Sequence, residues 1–132
     1  MDMTIRFPGG ARVDAEFNGL TVSTDQPRQA GGQGSAPTPF ATFLASIGTC
    51  AGIYVLGFCQ QRGLPTDGIT LTQHTHSDPV THLIKDIELD IHVPASFPPK
   101  YHDALVRSAA QCAVKKHLEH PPAIQVHTEV DG

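Results

Sequence analysis

The segment from Pro39 to Gln61 contains no charged residue, and this feature limits the possible folds more than any other. Most residues of the segment are apolar, and the others are Thr, Ser, Gly, Pro or Gln. Thr38 before Pro39 is typical of a helix start. The threonine hydroxyl can cap the first turn, and proline is tolerated in that turn because an N–H there would have no partner inside the helix. The sequence therefore predicts a helix from about Pro39 to Gln61, ended by Gly63.

A helix that is apolar on every side has to be buried on every side. A membrane, the rest of this 132-residue chain or a second copy could cover it. The segment has neither an aromatic belt nor basic flanks, which argues against a membrane. One short domain also has little material with which to wrap a long helix. We therefore predict a homodimer that packs this helix near its two-fold axis, rather than an unusually buried helix in a monomer or a membrane span.

The remaining elements follow from local patterns. Residues 12–17 alternate charged and apolar side chains, and Asn18-Gly19 is a strong hairpin turn. The order βββ-α-ββ-α-β results, which is an α+β fold in one domain over residues 1–132. The elements expected besides the charge-free helix are strands over Thr4–Phe7, Val13–Phe17, Leu20–Val22, Ile69–His76, Ile84–Val93 and Ile124–Val130, and a second helix over Pro98–His120.

Composition excludes several classes of function. The net charge is −4 and the basic residues are scattered, so no basic stripe indicates a nucleic-acid partner. Three cysteines and no signal peptide favour reduced thiols in the cytoplasm. His74 and His76 share a strand face, but no zinc-binding spacing accompanies them, so we predict neither a metal nor a cofactor.

The cysteines are the remaining candidates for chemistry. Cys59 lies nine residues after Cys50, near the opposite face of the same helix. Cys112 belongs to the second predicted helix, and it shares a groove with Cys50 if the two helices pack side by side. The alternative is that all three cysteines are small buried hydrophobic residues.

Two stretches resemble the signatures of the OsmC/Ohr family, the osmotically induced protein C and organic hydroperoxide resistance proteins. The first is GGQGSAPTPFATFLASIGTCAGIYVLGFCQQRGL, in which a Gly-Gly loop and a P-x-P step lead into a long helix bearing a cysteine. The second is QCAVKKHLEHPPAIQVHTEV, which is similar to the family pattern C-P-V-x-x-x-L before a final strand. The resemblance extends over nearly the whole chain and favours the OsmC-like subgroup.

The resemblance implies an intertwined homodimer that reduces organic hydroperoxides and is itself reduced by dithiols such as lipoylated proteins. Cys50 would be the peroxidatic cysteine and Cys112 the resolving cysteine, whereas Cys59 matches no catalytic position of the family. An alternative from another class is a non-enzymatic OsmC-like dimer that binds a small molecule or a thiol.

Only a thiolate attacks a peroxide, and an unperturbed cysteine is mostly protonated at neutral pH. Because Cys50 lies in the middle of its helix, the N-terminus of that helix gives no help, and we expect a cation from elsewhere. By resemblance this cation is Arg28, which matches a loop arginine of the OsmC branch. Arg12, which resembles the hairpin arginine of the Ohr branch, is the alternative.

Two residues depart from the family pattern. Ala41 stands where a glutamate normally holds the arginine, and Ala113 replaces the proline that follows the resolving cysteine. The first departure implies weakened peroxidase activity. Because of the second departure, the second helix need not break at Cys112.

Overall fold

The computed structural model describes all 132 residues and confirms the α+β class. Residues 1–46 and 47–132 form two compact units, and the long helix begins in the first and ends in the second. The strands are β1 (Thr4–Gly9), β2 (Arg12–Phe17), β3 (Leu20–Thr24), β4 (Thr70–Ser77) and β5 (Ile84–His92), and the helices are α1 (Pro39–Gln61), α2 (His102–Ala109) and α3 (Ala113–Glu119).

The N-terminal unit contains an antiparallel sheet in the order β1-β2-β3. Asn18 and Gly19 have φ values of 50° and 73°, as the two-residue turn between β2 and β3 requires. Phe17 pairs with Leu20 across this turn. The predicted hairpin is therefore confirmed.

Both ends of α1 follow the local signals in the sequence. Thr38 Oγ1 accepts a hydrogen bond from the Ala41 N–H at 3.1 Å, which caps the first turn. At the other end Gly63 has a φ of 64°, and the Leu64 N–H donates to the Cys59 carbonyl at 2.9 Å. The predicted bounds of this helix are confirmed. By length and composition α1 could also cross a membrane, a criterion that the core helices of soluble proteins meet as well.

The C-terminal unit holds a two-stranded antiparallel ribbon of β4 and β5. Leu71 pairs with Ile91, and these side chains lie on the face of the ribbon that packs against the core. The Ser108 hydroxyl of α2 donates to the Tyr54 carbonyl of α1 at 3.4 Å. The core cluster consists of Val55, Phe58, Cys59, Phe97 and Leu105.

The prediction of one continuous second helix was wrong. Helix α2 ends at Ala109 and α3 begins at Ala113, and between them Cys112 has φ −47° and ψ 127°, outside the helical region. The Cys112 sulfur accepts the N–H of Lys115 at 3.4 Å and so caps α3. A cysteine cap therefore starts a new helix here without the family's proline.

The predicted strand over Ile124–Val130 is absent from the single chain. Residues 120–132 belong to no helix or strand, and Ile124, Val126 and Val130 are 85%, 92% and 97% exposed. A strand forms by pairing with a neighbour, and the chain has no strand that pairs with this segment.

Candidate active site

The structure brings Cys50 and Cys112 together. Cys50 lies on α1 and is partly exposed, whereas Cys112 lies just before α3 and is 2% exposed. Their thiols are close enough to shift each other's pKa, and neither is in a disulfide. The Cys112 sulfur also lies 3.9 Å from the carbonyl oxygen of Ile47 on α1. The break between α2 and α3 places Cys112 against the turn of α1 that carries Cys50.

Backbone amides complete the surroundings of the Cys50 sulfur. The backbone N–H groups of Val114 and Ala113, the first residues of α3, help to lower the pKa of Cys50. Backbone amides of another helix therefore favour the Cys50 thiolate, and the contribution of a cation to its stability stays a prediction. No side-chain pattern marks these donors in the sequence, because they belong to the backbone and depend on the unpredicted helix break.

The pKa values of the two thiols are shifted in opposite directions from that of an ordinary cysteine. The hydrogen bond from Cys112, followed by the amide of Val114, lowers the pKa of Cys50. Burial, followed by the hydrogen bond to Cys50, raises the pKa of Cys112. The pair therefore favours a Cys50 thiolate beside a protonated Cys112, which divides the roles of nucleophile and hydrogen-bond donor between them.

Cys59 lies apart from this pair in the core of the C-terminal unit. Its side chain is completely buried, in the cluster with Phe58 and Leu105. Burial raises the pKa of Cys59, so the thiol is a poor nucleophile. This environment agrees with a structural role.

The arginines predicted to assist Cys50 belong to the N-terminal unit. Arg28 is exposed and opens a short 3₁₀ turn that ends at Ala30. Arg12 begins β2, and its guanidinium lies 3.6 Å from the carboxylate of Asp14. Within its own unit each arginine is placed as the sequence suggested, and the role of either one toward Cys50 stays a prediction.

An apolar cavity of about 540 Å³ adjoins Cys112. It lies between α1, the β4–β5 ribbon, α2 and α3, and Lys115 and Asp90 are the charged residues in its lining. Such a cavity suits the hydrocarbon part of a small molecule. Its apolar lining includes Ile47, Leu71, Ile87, Leu89, Val106 and Leu118.

One cluster of side chains has distances that suit a metal ion. Ligand atoms of His76, Asp86 and Glu88 lie within 4.8 Å of one another on the solvent-facing side of the β4–β5 ribbon. All three residues are exposed, and the hydrogen bond to Asp86 raises the pKa of His76. Exposed groups of this kind commonly lie together without an ion, so the cluster by itself does not indicate a metal centre.

Solved structures share this fold. A Psychrobacter arcticus protein described in terms of osmotic stress induction and detoxification response has a TM-score of 0.71 at 17% identity, over 86% of this chain and 85% of that chain. An OsmC-like protein from Mycoplasma pneumoniae has a TM-score of 0.67 at 11% identity, over 91% and 87%. The organic hydroperoxide resistance protein OsmC from Legionella pneumophila has a TM-score of 0.52 at 18% identity, over 89% of each chain. These likenesses define the class as the OsmC fold.

The sequence leads to the same class. The family model of OsmC-like proteins matches residues 32–127, a range that includes both Cys50 and Cys112. No curated protein sequence matches the chain. The chain belongs to the OsmC-like protein family, and the resemblance found in its two signatures is confirmed.

Proposed function

We propose that this protein reduces organic hydroperoxides, with Cys50 as the peroxidatic and Cys112 as the resolving cysteine. The observation that carries the proposal is the position of Cys112, whose sulfur lies 3.9 Å from the carbonyl oxygen of Ile47, one turn of α1 before Cys50. The pKa of Cys50 is lowered and that of the buried Cys112 is raised, in agreement with different roles for the two thiols. Membership of the OsmC-like family and the apolar cavity beside Cys112 support it.

The chemistry needs both thiols. The Cys50 thiolate attacks an oxygen of the hydroperoxide, the O–O bond breaks, and the leaving alkoxide takes up a proton to give an alcohol and a Cys50 sulfenic acid. The Cys112 sulfur then attacks the sulfenic sulfur, which releases water and forms a disulfide. A dithiol reductant returns two electrons and two protons and restores both thiols.

The remaining parts of the proposal come from the resemblance to the OsmC/Ohr family and from the exposed apolar surface of the single chain. Arg28, or else Arg12, approaches Cys50 and favours its thiolate, across the dimer if the partner supplies it. The protein acts as a homodimer in the cytoplasm, with a dithiol or a lipoylated protein as reductant. It uses no cofactor or metal and has no nucleic-acid or membrane partner.

Consumption of cumene hydroperoxide in the presence of dihydrolipoamide tests the proposal. We expect turnover by the wild type, none by Cys50→Ser, and wild-type turnover by the matched control Cys59→Ser. In the absence of any reductant, Cys112→Ser should consume about one equivalent of peroxide and leave a sulfenic acid at Cys50 that dimedone labels. Equal turnover by Cys50→Ser and the wild type would contradict the assignment.

The apolar cavity favours a second candidate, a non-enzymatic protein that binds a small apolar molecule. A wild type that binds cumene alcohol but consumes no hydroperoxide with any dithiol would support this second candidate. Ala41→Glu distinguishes a peroxidase of weakened activity from a binding protein. The substitution restores the carboxylate of the family pattern, and it should raise turnover only if the position of the arginine limits the rate.

A further inference from the structure

The inference begins with the face of the β4–β5 ribbon that does not pack against the core. Antiparallel pairing sets His74 directly opposite Glu88 and His76 directly opposite Asp86. Directly opposed residues share one face of a sheet, and so do residues two apart along a strand. All four side chains are exposed. Two imidazoles and two carboxylates therefore occupy one area of the surface, which we call the ribbon patch.

Three side chains of the ribbon patch converge. A ligand atom from each of His76, Asp86 and Glu88 lies within 4.8 Å of those of the other two. Ligands of one zinc ion, each bound at about 2.0–2.2 Å, lie roughly 3–4 Å from one another. Because these side chains are exposed, small rotations are enough to bring the three atoms onto one ion.

His74 supplies a fourth donor beside these three. Its Nε2 lies 3.2 Å from the carboxylate of Asp90. The Cβ atoms of directly opposed residues are about 4.5–5.5 Å apart, so the ring of His74 can also reach an ion that Glu88 holds. Imidazoles together with carboxylates suit Zn²⁺ or Ni²⁺, whereas Ca²⁺ and Mg²⁺ prefer oxygen ligands alone.

The distribution of charge on the same face also favours a cation. Three carboxylates alternate along β5, and none of the β4 residues opposite them carries a permanent positive charge. Neighbouring carboxylates repel one another, and a divalent ion between them would remove this repulsion. The carboxylates belong to Asp86, Glu88 and Asp90, and the β4 residues opposite them are His76, His74 and Thr72.

We propose that the ribbon patch binds one divalent transition-metal ion of the Zn²⁺ or Ni²⁺ type through His76, Asp86 and Glu88, with His74 as the fourth ligand. The ion links β4 to β5. The site is separate from the thiol pair, because Ile87 and Leu89 alternate with the carboxylates along β5 and line the cavity beside Cys112. The proposed peroxidase reaction does not use this ion, so the two proposals are independent of each other.

The test is a calorimetric titration with Zn²⁺ in the Cys50→Ser variant, in which the pair of thiols cannot compete for the ion. We expect one ion per chain, which an equal concentration of Mg²⁺ does not displace. His76→Gln added to this variant should weaken binding at least about tenfold, since the loss of even an outer-shell partner of a metal has an effect of that size.

The matched control for His76→Gln is His92→Gln in the same Cys50→Ser variant. His92 is another exposed imidazole on this face of the ribbon, but its Nε2 is hydrogen-bonded to the Thr72 hydroxyl at 2.8 Å. We expect His92→Gln to bind Zn²⁺ like its parent. Absence of Zn²⁺ binding, unchanged binding by His76→Gln or an equal loss in His92→Gln would overturn the inference.

A measurement on the wild type locates the ion without any substitution. In NMR spectra recorded during addition of paramagnetic Ni²⁺, the ring signals of His74 and His76 should broaden at lower concentrations than those of His117 and His127. Broadening that begins at either of these C-terminal histidines or around Cys50 would place the ion elsewhere and contradict the proposal.

Discussion

At the scale of single residues, Asp25 holds the glycine-rich loop of the N-terminal unit. Its carboxylate is 1% exposed and accepts hydrogen bonds from the Ser35 hydroxyl at 2.6 Å, the Gln26 N–H at 2.7 Å and the Ser35 N–H at 3.0 Å. Gly32 completes the turn, because a Cβ there would lie 2.0 Å from the Gln26 carbonyl oxygen. The loop that leads to α1 is thus fixed by one buried carboxylate and one obligatory glycine.

These contacts predict acid sensitivity. The hydrogen bond from the Ser35 side chain, followed by the backbone N–H of Ser35, lowers the pKa of Asp25 from 3.8 to about 2. Since the folded pKa lies below the unfolded value, the stabilisation is complete above about pH 4 and is lost as the pH falls toward 2. Urea unfolding at several pH values should show this decline in the wild type.

The control for this prediction is Asp25→Asn. We expect that variant to be less stable than the wild type at neutral pH, because an amide accepts fewer of the loop's hydrogen bonds. Its stability should also change less between pH 4 and pH 2. An identical pH profile for the two proteins would show that Asp25 does not control the loop.

At the scale of secondary-structure elements, Arg62 stabilises the C-terminal end of α1. Its Nη1 donates to the Phe58 carbonyl at 3.2 Å, and its guanidinium carbon lies 3.6 Å from the centre of the Phe58 ring and 5.6 Å from that of Tyr101. The hydrogen bond gives one of the last carbonyl groups of α1 a partner, and the contacts with the rings add a cation–π attraction.

We therefore expect Arg62→Ala to lower the free energy of unfolding by about 1 kcal/mol, measured by urea denaturation. Arg62→Lys should lose part of this amount, because lysine keeps the charge without the flat guanidinium. Arg107→Ala, on the exposed side of α2, is the matched control and should have little effect. A loss for Arg107→Ala as large as that for Arg62→Ala would contradict the role given to Arg62.

The sequence predicted α1 well because the signals for its ends are local. Thr38, Pro39 and Gly63 each act within one turn, and the structure uses all three. The break between α2 and α3 could not be read in the same way, because neither Pro nor Gly marks it and Cys112 provides the cap through its sulfur.

Two other features, the absence of the last strand and the amides near Cys50, depend on which distant parts of the chain meet in the fold. A strand over residues 124–130 has the right alternation but no neighbour with which to pair in the single chain. The pairing of Cys50 with Cys112 was expected from the family signatures. The amides that help to lower the pKa of Cys50 could not be predicted, because no pattern of side chains encodes them.

At the scale of the whole molecule, the single chain leaves apolar surface uncovered. Most of the apolar helix α1 is not buried within the single chain, and Ile53 on that helix is 59% exposed. The apolar residues of the C-terminal segment are almost fully exposed. We propose that a second copy covers these surfaces, in an interface well above ~1,200 Å² in total.

Sedimentation at micromolar concentration should therefore show a dimer. Ile53→Glu should produce monomers or lower the dimer's stability, because it places a charge on the exposed apolar side of α1. Val80→Glu, at the still more exposed connection between β4 and β5, is the control and should leave the dimer intact. A monodisperse wild-type monomer would contradict the proposed assembly.

The central claim, that Cys50 and Cys112 form a redox pair, is tested most directly by thiol counting after one turnover. The fully reduced protein is treated anaerobically with one equivalent of cumene hydroperoxide, and its thiols and disulfides are then mapped by mass spectrometry. We predict that two of the three thiols disappear, that a Cys50–Cys112 disulfide forms within one chain, and that Cys59 stays reduced. Three intact thiols beside unconsumed hydroperoxide, or a disulfide that includes Cys59, would contradict the claim.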